Sequence, residues 1–389
     1  MASKQIFKIV PLTPSEISFL QSLAPAVKEV GVKVTSTMYQ YMFQTHPEVK
    51  SYFNMTNQRT GRQPKVLAFS LYQYILHLND LTPINGFVKQ IVIKHCGLGI
   101  APEQYPVVGS CLVHAFKEVL GPEAADEHFV NVLTKAYGNL AQTLIDAEES
   151  VYQGLQWRGC KDFKVVKLEK EAADVTSVYL TPVDGTKLLP IIPGQYISLN
   201  WDVQDETVQP REYSISHNLI NNEYRISVRK LVNGKVSTFV NTKLQVGDIV
   251  PVHAPIGNMT YDATSGKPKI AVLAGGIGIT PMITIMQAAL KNGQSVELFY
   301  SNRTVDSEPF KKTFENWRSE YPDTFKLKNY ISGNGKKLTI SELEHIVPSE
   351  YDVYLLGPVG YMHEFKTYLT NKGVSDVKME FFGPTDPDV

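Results

Sequence analysis

Hydrophobic positions change their period twice along the chain. Up to about residue 150 they recur at helical spacing. Val27, Val30, Val34, Met38, Tyr41 and Met42 share one side of a helix predicted from about Ala26 to Gln44, and His46-Pro47 marks its end. Thr13-Pro14-Ser15-Glu16 reads as a capping box with proline at the first helical position. Further helices are predicted near 63–78, 84–96, 102–120 and 123–152, the last two separated by Gly121-Pro122. Nothing before residue 150 reads as a strand.

After residue 155 the pattern alternates. Phe163, Val165, Val166 and Leu168 open a strand region, and PIIPGQYISLNW reads as a turn and then a strand. EYRISVRKLVNGKVSTFV reads as two strands flanking an Asn233-Gly234 hairpin turn, and Val246-Gly247-Asp248 as another turn. Short strands so closely spaced predict a small antiparallel barrel. From about Lys267, the strands IAVLAG, VELFYS, FKLKNYI and VYLLG alternate with helical stretches, which predicts a parallel sheet with crossover helices. The expected architecture is multidomain: an all-α domain over 1–152, an antiparallel β-barrel over 153–265 and an α/β parallel-sheet domain over 266–389.

Composition narrows the function. The length of 389 residues suits two to four domains, and 43% hydrophobic with 20% charged residues fits a globular chain. With 38 basic and 39 acidic residues the net charge is −1, so there is no overall electrostatic drive toward nucleic acid and none is expected as a partner. Cys96, Cys111 and Cys160 are too few and too scattered for a disulfide framework or a zinc site. They suggest a reducing compartment, and a cytoplasmic location is expected; MASKQIFKIVPLTP lacks a secretory apolar core. Ile270–Leu290 is nearly all apolar over a membrane-spanning length. It divides instead into a strand (IAVLA), a glycine turn (GGIG) and a helix opened by Pro281 with Thr280 as its N-cap. No integral membrane association is expected.

Two glycine turns carry candidate chemistry. Gly275-Gly276-Ile277-Gly278-Ile279-Thr280-Pro281 lies between a strand and a helix, where a backbone free of side chains can approach a pyrophosphate. Leu356-Gly357-Pro358-Val359-Gly360-Tyr361-Met362 ends the last strand of the same sheet. Either alone is compatible with an ordinary strand–helix turn. In the barrel region, Arg211-Glu212-Tyr213-Ser214 combines a phosphate partner, an aromatic cover and a hydroxyl donor; an edge strand is the plain alternative. In the helical region His95 ends the run Ile91-Val92-Ile93-Lys94 just before the helix-breaking Cys96-Gly97-Leu98-Gly99, a place from which imidazole can reach a haem iron. Its second nitrogen needs an acceptor, for which Glu148 or Glu149 is available.

From about Trp157 to Pro384 the order R-x-Y-S, G-G-x-G-x-T-P, G-P-x-G-x-M and Glu380-Phe381-Phe382-Gly383-Pro384 resembles the ferredoxin–NADP reductase family. The resemblance implies that Arg211, Glu212, Tyr213 and Ser214 hold FAD, helped by Tyr196, with Lys235, Val236 and Ser237 near its phosphates and Phe382 packed on the flavin. It also implies that Gly275, Gly276, Ile277, Gly278, Ile279, Thr280 and Pro281 bind NAD(P)H, together with Gly357, Pro358, Phe381, Phe382, Gly383 and Pro384. Ser301 and Arg303, just past VELFY, sit where a 2′-phosphate could be met, and the choice between NADH and NADPH stays open.

The first 150 residues are similar to microbial globins. Tyr39 in MYQYMF, the Phe53-Asn54-Met55-Thr56-Asn57-Gln58 segment, Gln63, Leu67, Lys94-His95, Pro102-Glu103-Gln104-Tyr105, Ala136-Tyr137-Gly138 and Ala147-Glu148 carry the likeness. A globin joined to a flavin reductase is a flavohaemoglobin, and the whole chain is identified as a member of that family. Membership implies haem b, FAD and NAD(P)H as cofactors and His95 as the proximal iron ligand, with Tyr105 and Glu148 as its hydrogen-bonded set. Tyr39, Gln63 and Leu67 are implied on the oxygen side. Phe53 and Lys94 are implied in the haem pocket, and Glu380 in electron transfer. Leu356 and Phe381 stand where bacterial members often carry cysteine, which leaves the flavin potential open. The implied activity is nitric oxide dioxygenation, with NO and O₂ as substrates, nitrate as product and NO detoxification as the role. An oxygen-binding or sensing globin with an iron-reducing module, or a flavin reductase of other acceptors, are the alternatives. A monomer is expected, and the distal haem pocket is a candidate lipid site.

Overall fold

The computed structural model describes residues 4–203 and 208–382. They form two compact units, one built from residues up to Gly159 and the other from Cys160–Val203 and Arg211–Phe382.

The first unit is helical: α1 (Pro14–Ser22), α2 (Ala24–Thr45), α3 (Met55–Arg59), α4 (Arg62–Leu76), α5 (Asn85–Leu98), α6 (Gln104–Leu120) and α7 (Glu127–Gly154). The Thr13 capping box forms, with Glu16 N–H donating to Thr13 Oγ1 (3.3 Å) and Thr13 N–H to Glu16 Oε2 (2.7 Å). His46 is the C-cap of α2, as its sequence predicts. α7 starts later than 123 because Asp126 takes the N-cap, its carboxylate accepting from Phe129 N–H at 2.8 Å. Helices α2 and α4 pack closely because Gly31 faces Ala68, whose Cβ would lie 3.3 Å from a Cβ at position 31. The buried Thr35 hydroxyl clasps them, reaching the carbonyls of Gly31 (3.0 Å) and Pro64 (2.8 Å). This fixes the first turn of α4, which carries Gln63, against the helix that carries Tyr39.

The second unit begins with six antiparallel strands: β1 (Cys160–Ala172), β2 (Val175–Pro182), β3 (Tyr196–Trp201), β4 (Gln209–Ser214), β5 (Tyr224–Arg229) and β6 (Ile249–His253). Their order is β4-β3-β6-β1-β2-β5. A bridge between Ile215 and Ile226 joins the two outer strands and closes the barrel. Phe163, Val165, Val178, Leu180, Ile197, Leu199, Ile226 and Val252 fill it. The predicted Asn233-Gly234 hairpin does not form. The second run is helix α8 (Lys235–Thr242), with Gly234 as its N-cap. A two-residue hairpin of the Asn-Gly type needs positive φ at both positions, whereas Asn233 has φ 59 and Gly234 φ −82. Val236 and Val240, one turn apart, are buried together, a helical rather than an alternating pattern.

The parallel sheet contains β7 (Lys269–Gly275), β8 (Ser295–Asn302), β9 (Phe325–Ile331), β10 (Tyr351–Leu356) and β11 (Val377–Met379), ordered β11-β10-β7-β8-β9. Helices α9 (Thr280–Lys291), α10 (Lys311–Glu320) and α11 (Val359–Asn371) accompany it. The apolar stretch 270–290 is strand, 3₁₀ turn and helix. Among the described residues no helix is long and apolar enough to cross a membrane. Thr280 is not the N-cap. A 3₁₀ turn over Gly276–Ile279 runs directly into α9, so Thr280 is already helical and its hydroxyl donates back to the Ile277 carbonyl at 3.0 Å.

Candidate functional site

His95 lies in the last turn of α5, half-buried, and its Nδ1 is 2.7 Å from Glu148 Oε1 on α7 and 3.0 Å from the Tyr105 hydroxyl on α6. The Tyr105 hydroxyl donates to the same Glu148 oxygen at 2.5 Å. Glu148 is only 2% exposed, so its charge is met by these donors rather than by water. Burial and the Glu148 charge hold the Tyr105 phenol far above its ordinary value, so it remains a donor. With Nδ1 engaged, Nε2 is the nitrogen left to ligate a metal. Of the two candidate acceptors, the geometry brings Glu148 to His95, while Glu149 pairs with Arg158 at 2.7 Å. Tyr137, whose support of this set the sequence reading did not pick out, donates its hydroxyl to the Tyr105 carbonyl at 2.7 Å. It crosses α6 at Gly109, where an added Cβ would meet the ring at 2.5 Å. A tyrosine opposite a helical glycine is the only trace of this in the sequence.

Tyr39 is buried, and burial outweighs a hydrogen bond with Gln63 to push its phenol up to about 12. Phe53 meets its ring edge-on at 5.6 Å, Phe43 stacks at 5.9 Å, and Leu67 packs against the same cluster. Lys94 is half-buried on α5 beside His95. A ligating imidazole with an anchored second nitrogen, together with a protonated phenol in an aromatic and aliphatic core, is a donor set that fits a haem.

In the barrel, Arg211, Glu212, Tyr213 and Ser214 end β4. Ile215 N–H donates to the Gln195 carbonyl at 3.0 Å, which lays this segment against Pro-Gly-Gln-Tyr196. Tyr213 meets Trp201 edge-on at 6.5 Å. Lys235, Val236 and Ser237 form the first turn of α8, and the Ser237 hydroxyl accepts from Leu231 N–H at 3.1 Å. A guanidinium, hydroxyls and a helix N-terminus carrying lysine are a donor set that fits a flavin dinucleotide.

The 275–281 turn and the start of α9 are mostly buried. Gly276 has φ 57, and a Cβ there would lie 2.6 Å from Arg229 Nη1. Gly278 touches the second glycine turn: a Cβ would be 2.4 Å from the Leu356 carbonyl oxygen, just before Gly357-Pro358. Arg229, which the sequence reading passed over, ends β5 and pairs with Asp174 at 3.1 Å, with its other end on the Ser307 carbonyl. Phe381 is buried in the sheet's core, and its N–H donates to Glu380 Oε1 at 3.0 Å. Phe382 is 51% exposed, an open aromatic face that suits stacking on a flat ring. Ser301 is half-buried and Arg303 exposed at the end of β8. Gly383 and Pro384 lie outside the described residues.

The fold and these donor sets define a globin followed by a flavin- and nicotinamide-dependent oxidoreductase. Three domain families match in that order: Globin over residues 36–144, Oxidoreductase FAD-binding domain over 162–261 and Oxidoreductase NAD-binding domain over 272–366. The chain is 72% identical over 390 residues to the flavohemoprotein of Candida norvegensis, covering 100% of this chain and 99% of that one. It is 44% identical to the flavohemoprotein of Candida albicans, over 97% of this chain and 98% of that one. A crystal structure of the Malassezia yamatoensis flavohemoglobin with bound FAD and heme is similar over 96% of this chain and 100% of that one, at 25% identity and a TM-score of 0.86. The chain belongs to the flavohaemoprotein family. Haem, FAD and a nicotinamide nucleotide are the cofactors that membership assigns.

Proposed function

We propose that the chain is an NAD(P)H-dependent nitric oxide dioxygenase that converts NO and O₂ to nitrate and so detoxifies NO. The observation that carries this reading is the His95–Glu148–Tyr105 network. Joining NO and O₂ into nitrate takes up one electron, and a hydride supplies two. When bound, the nicotinamide gives hydride, the flavin releases single electrons and haem iron accepts them.

The chain's own residues do the rest. In this reading the domains are 1–152 for haem, 153–265 for FAD and 266–389 for the nucleotide. Glu148 and Tyr105 fix the His95 ring and its Nδ1 proton, which raises the donor strength of Nε2. Tyr39, protonated and steadied by Gln63, offers a hydrogen bond on the oxygen side, and Leu67 and Phe53 keep that side apolar. Arg211, Tyr213, Ser214 and Tyr196 orient the flavin, with Glu212 on the same strand and Lys235, Val236 and Ser237 at its phosphates. Phe382 covers the ring where nicotinamide enters. The 275–281 and 357–358 turns hold the nucleotide, and Phe381, Gly383 and Pro384 are assigned to the same binding. Lys94 in the haem domain and Glu380 in the nucleotide domain are each assigned to electron transfer.

The test is steady-state NO consumption with NADH or NADPH and O₂, set against nucleotide oxidation without NO. NO-dependent turnover to nitrate is expected. Nucleotide oxidation that ignores NO would favour a reductase of other acceptors.

A further inference from the structure

β5 carries a second arginine, and this one is buried without a carboxylate beside it. Arg225 is 8% exposed. Its Nε donates to Ser216 Oγ at 3.1 Å and its Nη2 to the Ser216 carbonyl, and its guanidinium lies over the Phe310 ring at 5.1 Å. Among the described residues it forms no ion pair. Two acidic groups lie near it without a hydrogen bond or ion pair to it, and after a Lys167 hydrogen bond the Arg225 charge helps to lower the Glu169 pKa. Glu169 is linked by the Tyr179 hydroxyl (2.9 Å) and is itself paired with Lys167 at 2.8 Å. Glu171 is linked through Ser177 (2.9 Å), Ser227 (2.8 Å) and Ser216 (3.0 Å). A buried cation of this kind is costly unless an anion can meet it.

Arg225 lines a cleft of about 280 Å³ between the barrel and helices α9 and α10. Ile283 and Trp317 give it apolar walls, and Gln287 and Asn316 supply amides. Gln287 Oε1 already accepts from Asn218 at 2.7 Å, which leaves its amide hydrogens for another partner. Of the five N–H donors of an arginine, Arg225 commits two to Ser216. Phe310, under the guanidinium, holds the left-handed φ of 66 although it is not glycine. The cleft shares no lining residue with the flavin and nucleotide positions given above.

We propose that this cleft binds a small organic carboxylate, with the carboxylate on Arg225 and a flat apolar body against Trp317 and Ile283. A polyphosphate does not suit it, because Glu320 stands at the cleft and one arginine is its buried cation.

The test uses the full chain loaded with haem and FAD, and benzoate as the probe, followed by saturation-transfer NMR. Saturable transfer to the benzoate ring in the millimolar range is expected, unchanged by saturating NAD⁺. Asn316→Trp places a large ring in the cleft from an exposed position and should weaken binding tenfold or more. Arg225→Gln should do the same, and Glu320→Gln should tighten binding severalfold. If Arg225→Gln does not fold, Asn316→Trp decides the matter. No saturable transfer to the wild-type chain, or equal transfer to Asn316→Trp, overturns the proposal.

Discussion

One oxygen of Glu148 accepts from both His95 and Tyr105, at 2.7 and 2.5 Å, although Glu148 follows His95 by 53 positions. The shared oxygen fixes which imidazole nitrogen carries the proton.

Replacing Glu148 with Gln keeps an acceptor and removes its charge. Charged-acceptor hydrogen bonds contribute roughly 1.5–3 kcal/mol against about 1 for neutral ones. Glu148→Gln is expected to destabilise the helical unit by about 0.5–2 kcal/mol and to lower the iron–histidine stretching frequency of the reduced protein in resonance Raman spectra. An unmoved band would mean that the carboxylate does not polarise His95.

Tyr39→Phe removes one hydroxyl and keeps the ring that packs on Phe43 and Phe53. The O₂ dissociation rate measured by stopped flow should rise about ten- to a hundredfold, from the same range of hydrogen-bond strengths. Gln63 can partly substitute, which places the effect toward the lower end. Flavin reduction by NADH should stay at the parent rate. An unchanged O₂ release rate would place the hydroxyl in a purely structural role.

His253 is buried, and burial pushes its imidazole from 6.5 down to about 4. The folded chain therefore keeps it neutral, its Nε2 3.1 Å from Cys160 Sγ. Because the folded value is the lower one, protons bind the unfolded chain first. This stability is fully present above about pH 6.5 and is lost as pH falls toward 4, by as much as about 3 kcal/mol. Urea melts of the wild type and His253→Gln across that window should converge as pH falls. Parallel curves would rule the histidine out as the source.

The change of texture near residues 150 and 267 made the three kinds of architecture legible, because periods of 3.6 and 2 and strand–helix alternation are local properties. The KVSTFV run was not legible. Its β-branched residues favour a strand, and only the backbone of Gly234, with negative φ, turns it into a helix cap. His95, Tyr105 and Glu148 were legible as residue types, but a helix crossing had to choose Glu148 over Glu149. Arg225 and Arg229 were passed over because both occupy one face of an alternating strand, where charge usually means solvent.

Gly278→Ala puts a methyl group 2.4 Å from the Leu356 carbonyl oxygen, a backbone atom that cannot swing aside. Overpacking of this kind costs roughly 1–3 kcal/mol. The KM for NADH should rise while flavin absorbance stays normal. A parent-like KM and melting temperature would show that the turn yields freely.

That contact also bears on redesign. The 275–278 and 356–358 segments lie against each other, and a Cβ on Gly275 would fall 2.8 Å from Pro358 Cδ and 3.1 Å from Gly357 Cα. Substitutions in one are therefore expected to be strongly epistatic with substitutions in the other. A library that varies one turn alone explores shapes its neighbour has already forbidden, so any recoding of the nucleotide preference has to mutate the two as one unit.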